Sequence, residues 1–179
     1  MQVTVKGGRK FQKELLVQFT LWAGYKLLGN RLGDRCQFDI HLKKCRKAKD
    51  ILGSCIGIDD HILPRHFYIE VEKTQTPKML LQTLGHELTH AKQFALGELK
   101  YPKRNLAVSK WKGESITDSD IDYWDMPWEI EAHGREIGLY MQFIEYMEIL
   151  PQFKSDSPEY TDTPKIYNKA KLLINGVNK

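Results

Sequence analysis

The chain has 179 residues and a mass of 20.9 kDa, with 41% apolar and 28% charged residues, the composition of a globular protein with a core of its own. Aromatics at 11% exclude a chain disordered throughout, and three cysteines exclude a small secreted fold stapled by disulfides. The net charge of +4 is uneven: residues 1–54 carry 12 Lys/Arg against 4 Asp/Glu, and the remainder carries 15 against 19.

The basic first third admits an anionic partner such as nucleic acid, but a solvated helix face and a Lys-rich loop account for it better. No apolar run approaches the roughly 20 residues of a membrane helix. The most apolar early stretch, 15–23, is broken by Gln18 and Thr20 and follows a charged segment without a cleavage site. A cytoplasmic protein with no secretory signal and no membrane partner is expected, folded as a single domain over 1–179.

Residues 10–28 read as a first helix, which Gly29 and Asn30 should stop. Residues 37–42 alternate, with Phe38, Ile40 and Leu42 on one side of a strand. Residues 43–50 form a charged turn, and 54–58 a short strand. Residues 66–73 alternate again, with Phe67, Ile69 and Val71 facing one way. Thr76-Pro77 then opens a strong helix, an N-cap followed by proline at the first helical position, running to Ala95 before Gly97. Residues 98–125 are an irregular insert with a hairpin around 107–116. Pro127 opens another helix that runs to Ile149 before Pro151, and a last short helix covers 164–174. This order of elements predicts an α+β fold.

The informative residues are His86-Glu87-Leu88-Thr89-His90 within the Thr76 helix. Histidines at i and i+4 lie about 40° apart around a helix, so both imidazoles can reach one ion. Glu87 sits about 100° from His86, beside the ion, where it can take a proton from a bound water. Leu80, Leu84, Leu88, Ala91 and Ala95 form a core stripe opposite the histidines, while Thr83 and Gln93 share the histidine side. Chance alone would produce H-E-x-x-H about 0.01 times in a chain of this composition. Lys92 departs from the apolar residue usual after such a motif.

A catalytic zinc site takes three protein ligands and one open position. The third should come from Pro127-Trp128-Glu129-Ile130-Glu131-Ala132. Glu129 and Glu131 lie about 200° apart, so only one can face the metal. Glu129 is preferred because small Ala132, His133, Glu136 and Tyr140 share its side; Glu131 stays in reserve.

HELTH followed by a helix bearing PWEIEA resembles the gluzincin metallopeptidases, in particular small single-domain members, the minigluzincins, and similar bacteriophage proteins. The resemblance covers roughly residues 66–148. It implies a small zincin-like domain: a short twisted sheet, the HExxH active-site helix and a following glutamate-bearing helix. It implies Zn2+ held by His86, His90 and Glu129. It further implies peptide-bond hydrolysis through a metal-bound water with Glu87 as general base. Thermolysin-like relatives carry an acidic residue four after the glutamate ligand, where this chain has His133. SprT-like peptidases, which act near DNA, share HExxH but use a third histidine, for which no counterpart motif is visible here.

A donor must steady the oxyanion, and Tyr123 and His133 are the candidates. A packing role for Tyr123 and a hydrogen bond to a metal ligand for His133 are the competing roles. If strand 66–73 is the sheet edge, an extended peptide can pair with it. Peptide or protein substrates, virion proteins or host proteins are the partners implied, in the host cytoplasm or the virion if the chain is phage-encoded. The alternatives are a non-catalytic binding or virion-structural module on the same scaffold, or a DNA-associated SprT-like protease using residues 1–54.

Asp118, Asp120, Asp122 and Glu129 mimic calcium-loop spacing, but Tyr123 replaces the turn glycine. Cys36, Cys45 and Cys55 match no zinc knuckle or redox pair. Trp111, Trp124 and Trp128 read as packing residues. Gly85 within the helix suggests close packing beside the metal.

Overall fold

A computed structural model describes residues 1–44, 52–59, 61–101 and 108–149, apart from the side chains of Asp118 and Ile149. Of the charged turn expected over 43–50, Lys43 instead ends a strand; residues 45–50, Pro151 and the helix expected over 164–174 lie outside the described residues.

The elements are β1 (Gln2–Lys6), α1 (Lys10–Gly33), β2 (Gln37–Lys43), β3 (Gly53–Gly57), β4 (His66–Glu72), α2 (Pro77–Leu96), β5 (Leu99–Lys100), β6 (Val108–Trp111), β7 (Glu114–Thr117) and α3 (Pro127–Ile149). Three helices and two sheets among the described residues make a small mixed domain, consistent with α+β. No described helix is long and apolar enough to cross a membrane.

The larger sheet has the order β1-β2-β4-β3. β1, β2 and β4 are parallel, and β3 runs antiparallel to β4. β1 was not anticipated, because its five residues carry only Val3 and Val5 as a pattern; its stability comes from pairing Val3 with Phe38 and Val5 with Ile40 across the α1 crossover. The expectation that 66–73 is an edge strand is overturned. β4 is paired on both sides, by β2 and β3, and Phe67, Ile69 and Val71 are fully buried. Alternation reports which face is buried, not which strands flank a strand, so the pattern could not distinguish edge from centre. The edge on this side is β3.

The apolar rows of β2 and β4 meet Leu15, Leu16 and Phe19 of α1 and Leu80, Leu84 and Leu88 of α2 in one core. Phe38 stacks on Phe67 with ring centroids 5.4 Å apart. The opposite face of the sheet is polar: the Thr4 hydroxyl donates to Asp39, His66 pairs with Asp39 at 2.7 Å, and Lys43 reaches Tyr68 and Glu70. Part of the basic charge of the first third is therefore compensated within the sheet.

α2 begins as the sequence predicts, with the Thr76 hydroxyl accepting from the Met79 amide and Gly97 ending it at φ 73°. Its surroundings differ from the amphipathic expectation. Every residue from Leu84 to Gln93 is buried. The sheet and α1 cover the leucine side, and α3 covers the histidine side. α1 also extends beyond its expected stop. Gly29 takes φ 70° and ψ 166°, which breaks the helix, and a further turn runs to Gly33. The hairpin falls where expected, as β6 and β7 joined through Lys112 and Gly113 at positive φ.

Candidate metal centre

His86 and His90 project from adjacent turns of α2 toward the first turn of α3. Their Nε2 atoms are 3.0 Å apart. Pro127 starts α3 so that Glu129 meets both: Oε2 lies 3.2 Å from His86 Nε2, and Oε1 lies 3.4 Å from His90 Nε2. All three residues are buried, at 8%, 9% and 8% exposure. Four-coordinate zinc with bonds of 2.0–2.1 Å places neighbouring ligand atoms about 3.3 Å apart. The two Nε2 atoms, and each Nε2 with its own oxygen of the Glu129 carboxylate, stand near that spacing.

The far nitrogen of each imidazole is engaged. His86 Nδ1 lies 3.3 Å from Glu136 Oε2, and His90 Nδ1 lies 2.9 Å from Gln93 Oε1. Donation from Nδ1 in both rings leaves Nε2 lone pairs converging with a carboxylate, a set of acceptors that suits a cation. Burial pushes the Glu129 carboxyl up, but the adjacent His86 and His90 imidazoles, with the Tyr123 hydroxyl, outweigh it and hold it well below its usual range. Burial also opposes charge on His90, but Glu129 and Glu87 outweigh it and raise its pKa. His86, His90 and Glu129 can hold a metal ion.

No protein-family model, no curated protein and no solved structure matches this chain.

Glu131 points elsewhere. Its carboxylate takes Lys92 at 2.9 Å, Arg135 at 2.9 Å and Gln93 at 3.2 Å. Of the two candidate carboxylates, Glu129 is the one brought to the histidines. Lys92, unusual after such a motif, is buried at 8% exposure and bridges Glu131 to Glu98.

Glu87 is 5% exposed, and burial pushes its carboxyl up to about 7, with His90 and His86 opposing and Glu129 and Glu136 adding. The first residue of β3, Gly53, closes over it, and a Cβ there would lie 2.6 Å from Glu87 Oε1. Sequence reading missed Gly53, because nothing local marks a glycine that meets a helix some 30 positions later.

Tyr123 and His133 both join the site. The Tyr123 hydroxyl donates to Glu129 Oε2 at 2.8 Å and lies 3.4 Å from His133 Nε2. Burial first, then Glu129, raises the Tyr123 pKa. His133 Nδ1 lies 3.3 Å from Glu136, and its ring is 4.5 Å from that of His86. Glu136 thus serves both histidines, one turn further along α3 than the acidic position of the thermolysin-like pattern. Gln93 and Glu136 were both visible on the metal-facing sides of their helices, which was the signal that could have found them.

Gly85 and Trp124 depart from their expected roles. An added Cβ on Gly85 would meet Phe19, Leu139 and Glu136 at 3.5–3.7 Å, ordinary contact, so packing does not demand glycine there. Trp128 is buried and lies 6.4 Å from Trp111, but Trp124 is 68% exposed and lies over His133 rather than in the core. Of the residues with calcium-loop spacing, Asp122 caps the Trp124 amide and Glu129 goes to the histidines. Cys36 and Cys55 are free thiols, and Cys45 lies outside the described residues.

Proposed function

We propose that the protein is a zinc-dependent peptidase of the gluzincin type, built on a small zincin-like fold. The observation that carries this reading is the convergence of His86, His90 and Glu129 at 3.0–3.4 Å, with Glu87 buried between the histidines on the same helix. The donor set, two imidazoles and a carboxylate, suits zinc with a position left for substrate chemistry. Zinc, when bound, supplies Lewis acidity toward a water and a peptide carbonyl.

The chain's own groups do the rest. Glu87 accepts the proton as water adds to the carbonyl carbon, then passes it to the amine as the C–N bond breaks. Tyr123, once its hydroxyl turns from Glu129, and His133, beside His86, are the donors proposed for the carbonyl oxygen as it gains charge. β3 replaces β4 as the strand for an extended substrate: it is paired only with β4 among the described residues, and it begins over Glu87.

The test compares wild type with Glu87→Gln for zinc content and for turnover of a peptide library. About one zinc per chain is expected in both, with hydrolysis only in wild type. Hydrolysis surviving in Glu87→Gln rejects the mechanism, and zinc-free protein after equilibration with zinc rejects the metal assignment.

A further inference from the structure

Gln93 is fully buried, and its amide can be oriented in only one way. Its Nε2 lies 2.9 Å from the Trp128 carbonyl and 3.2 Å from Glu131 Oε2. Both are acceptors, so the amide hydrogens must face them. Oε1 is then turned to His90 Nδ1 at 2.9 Å and accepts its proton, leaving Nε2 bare toward Glu129. His86 needs no such arrangement, because Glu136 is a carboxylate and has only acceptors to present.

We infer that Glu131 is a positioning residue for the metal centre, acting through Gln93 to set the His90 tautomer that binds the ion. This rests on the reading of His86, His90 and Glu129 as metal ligands. Trp128 holds one amide hydrogen, and Glu131 holds the other. A flipped amide would set its oxygen against a carboxylate. Lys92 and Arg135, each at 2.9 Å, pair with the other oxygen of that carboxylate, and Glu98 completes the Lys92 pair.

The experiment reads the imidazole nitrogens of zinc-free protein by NMR, at a pH high enough that His90 is neutral, and measures zinc affinity against a competing chelator. Wild type should carry the His90 proton on Nδ1. Glu131→Gln should populate both tautomers and weaken zinc binding about tenfold. Lys92→Met breaks the same ion pair but leaves the Glu131 carboxylate against Gln93, so tautomer and affinity should stay close to wild type. A neutral His90 that carries its proton on Nε2 in wild type overturns the inference. So does an equal loss of affinity in Glu131→Gln and Lys92→Met. Wild type that binds no zinc would sink the metal reading instead, while the tautomer measurement would still decide the role of Glu131.

Discussion

Gly53 and Glu87 are in contact where β3 meets α2. A Cβ on the strand residue would lie 2.6 Å from Oε1 of the helix residue, 3.0 Å from its Cγ and 2.8 Å from Thr83 Cγ2. The edge strand therefore presses on the group proposed as the base, and only a residue without a side chain allows it.

Gly53→Ala is expected to displace the Glu87 carboxylate while leaving the core untouched. Peptide hydrolysis should fall at least about tenfold, since small misplacements of a reacting group are costly. Zinc content and the circular dichroism spectrum should stay unchanged. Wild-type kcat/KM in this variant would show that Gly53 does not constrain Glu87.

Metal removal should loosen the junction of α2 and α3, because the proposed ligands join these two helices. Zinc at a hundredfold excess over its Kd stabilises the folded state by about 2.7 kcal/mol. For a chain of this length, chelation should then lower Tm by roughly 5–10 °C. The check is calorimetry with chelator and with zinc restored; an unchanged Tm would argue against an ion held by folded protein alone.

Asp39 predicts an acid-sensitive contribution on the polar face of the sheet. The Thr4 hydroxyl, followed by His66, holds its carboxyl below the ordinary value against the opposing effect of burial. A depressed pKa contributes stability that is complete above the unfolded value, about 3.9, and is lost as pH falls through the folded value. Asp39→Asn should therefore be less stable than wild type at pH 6, and the gap should close below about pH 4. Urea midpoints across this range test it, and a gap constant with pH would contradict the pairing.

Two helical glycines should respond with opposite signs. Gly29 takes φ 70° and ψ 166° with open space around it, so Gly29→Ala should cost about 1–3 kcal/mol through backbone strain alone. Gly85 has helical backbone, and an added methyl would meet neighbours at 3.5–3.7 Å, so Gly85→Ala should stabilise by roughly 0.5–1 kcal/mol. Denaturant unfolding of both variants checks the pair.

Much of the candidate site was legible before the fold. His86 and His90 share a face because four residues make about one helical turn, and Glu87 falls beside them for the same reason. Thr76-Pro77 and Gly97 bound that helix through local capping, and the alternation of 37–42 and 66–73 marks their buried rows. Separating Glu129 from Glu131 took a helical wheel and the small residue at Ala132.

What local pattern could not carry was contact between distant segments. The edge position belongs to β3 rather than β4 because strand neighbours are chosen by the whole sheet. Gly53 over Glu87, Lys92 between Glu98 and Glu131, and Gln93 between His90 and Trp128 all join residues from different elements. The sequence by itself determined the helix that carries two imidazoles and a carboxylate, since periodicity acts within a few residues. Only the tertiary structure decided which partners bury, orient and charge those groups, because such interactions depend on distances that sequence separation does not encode.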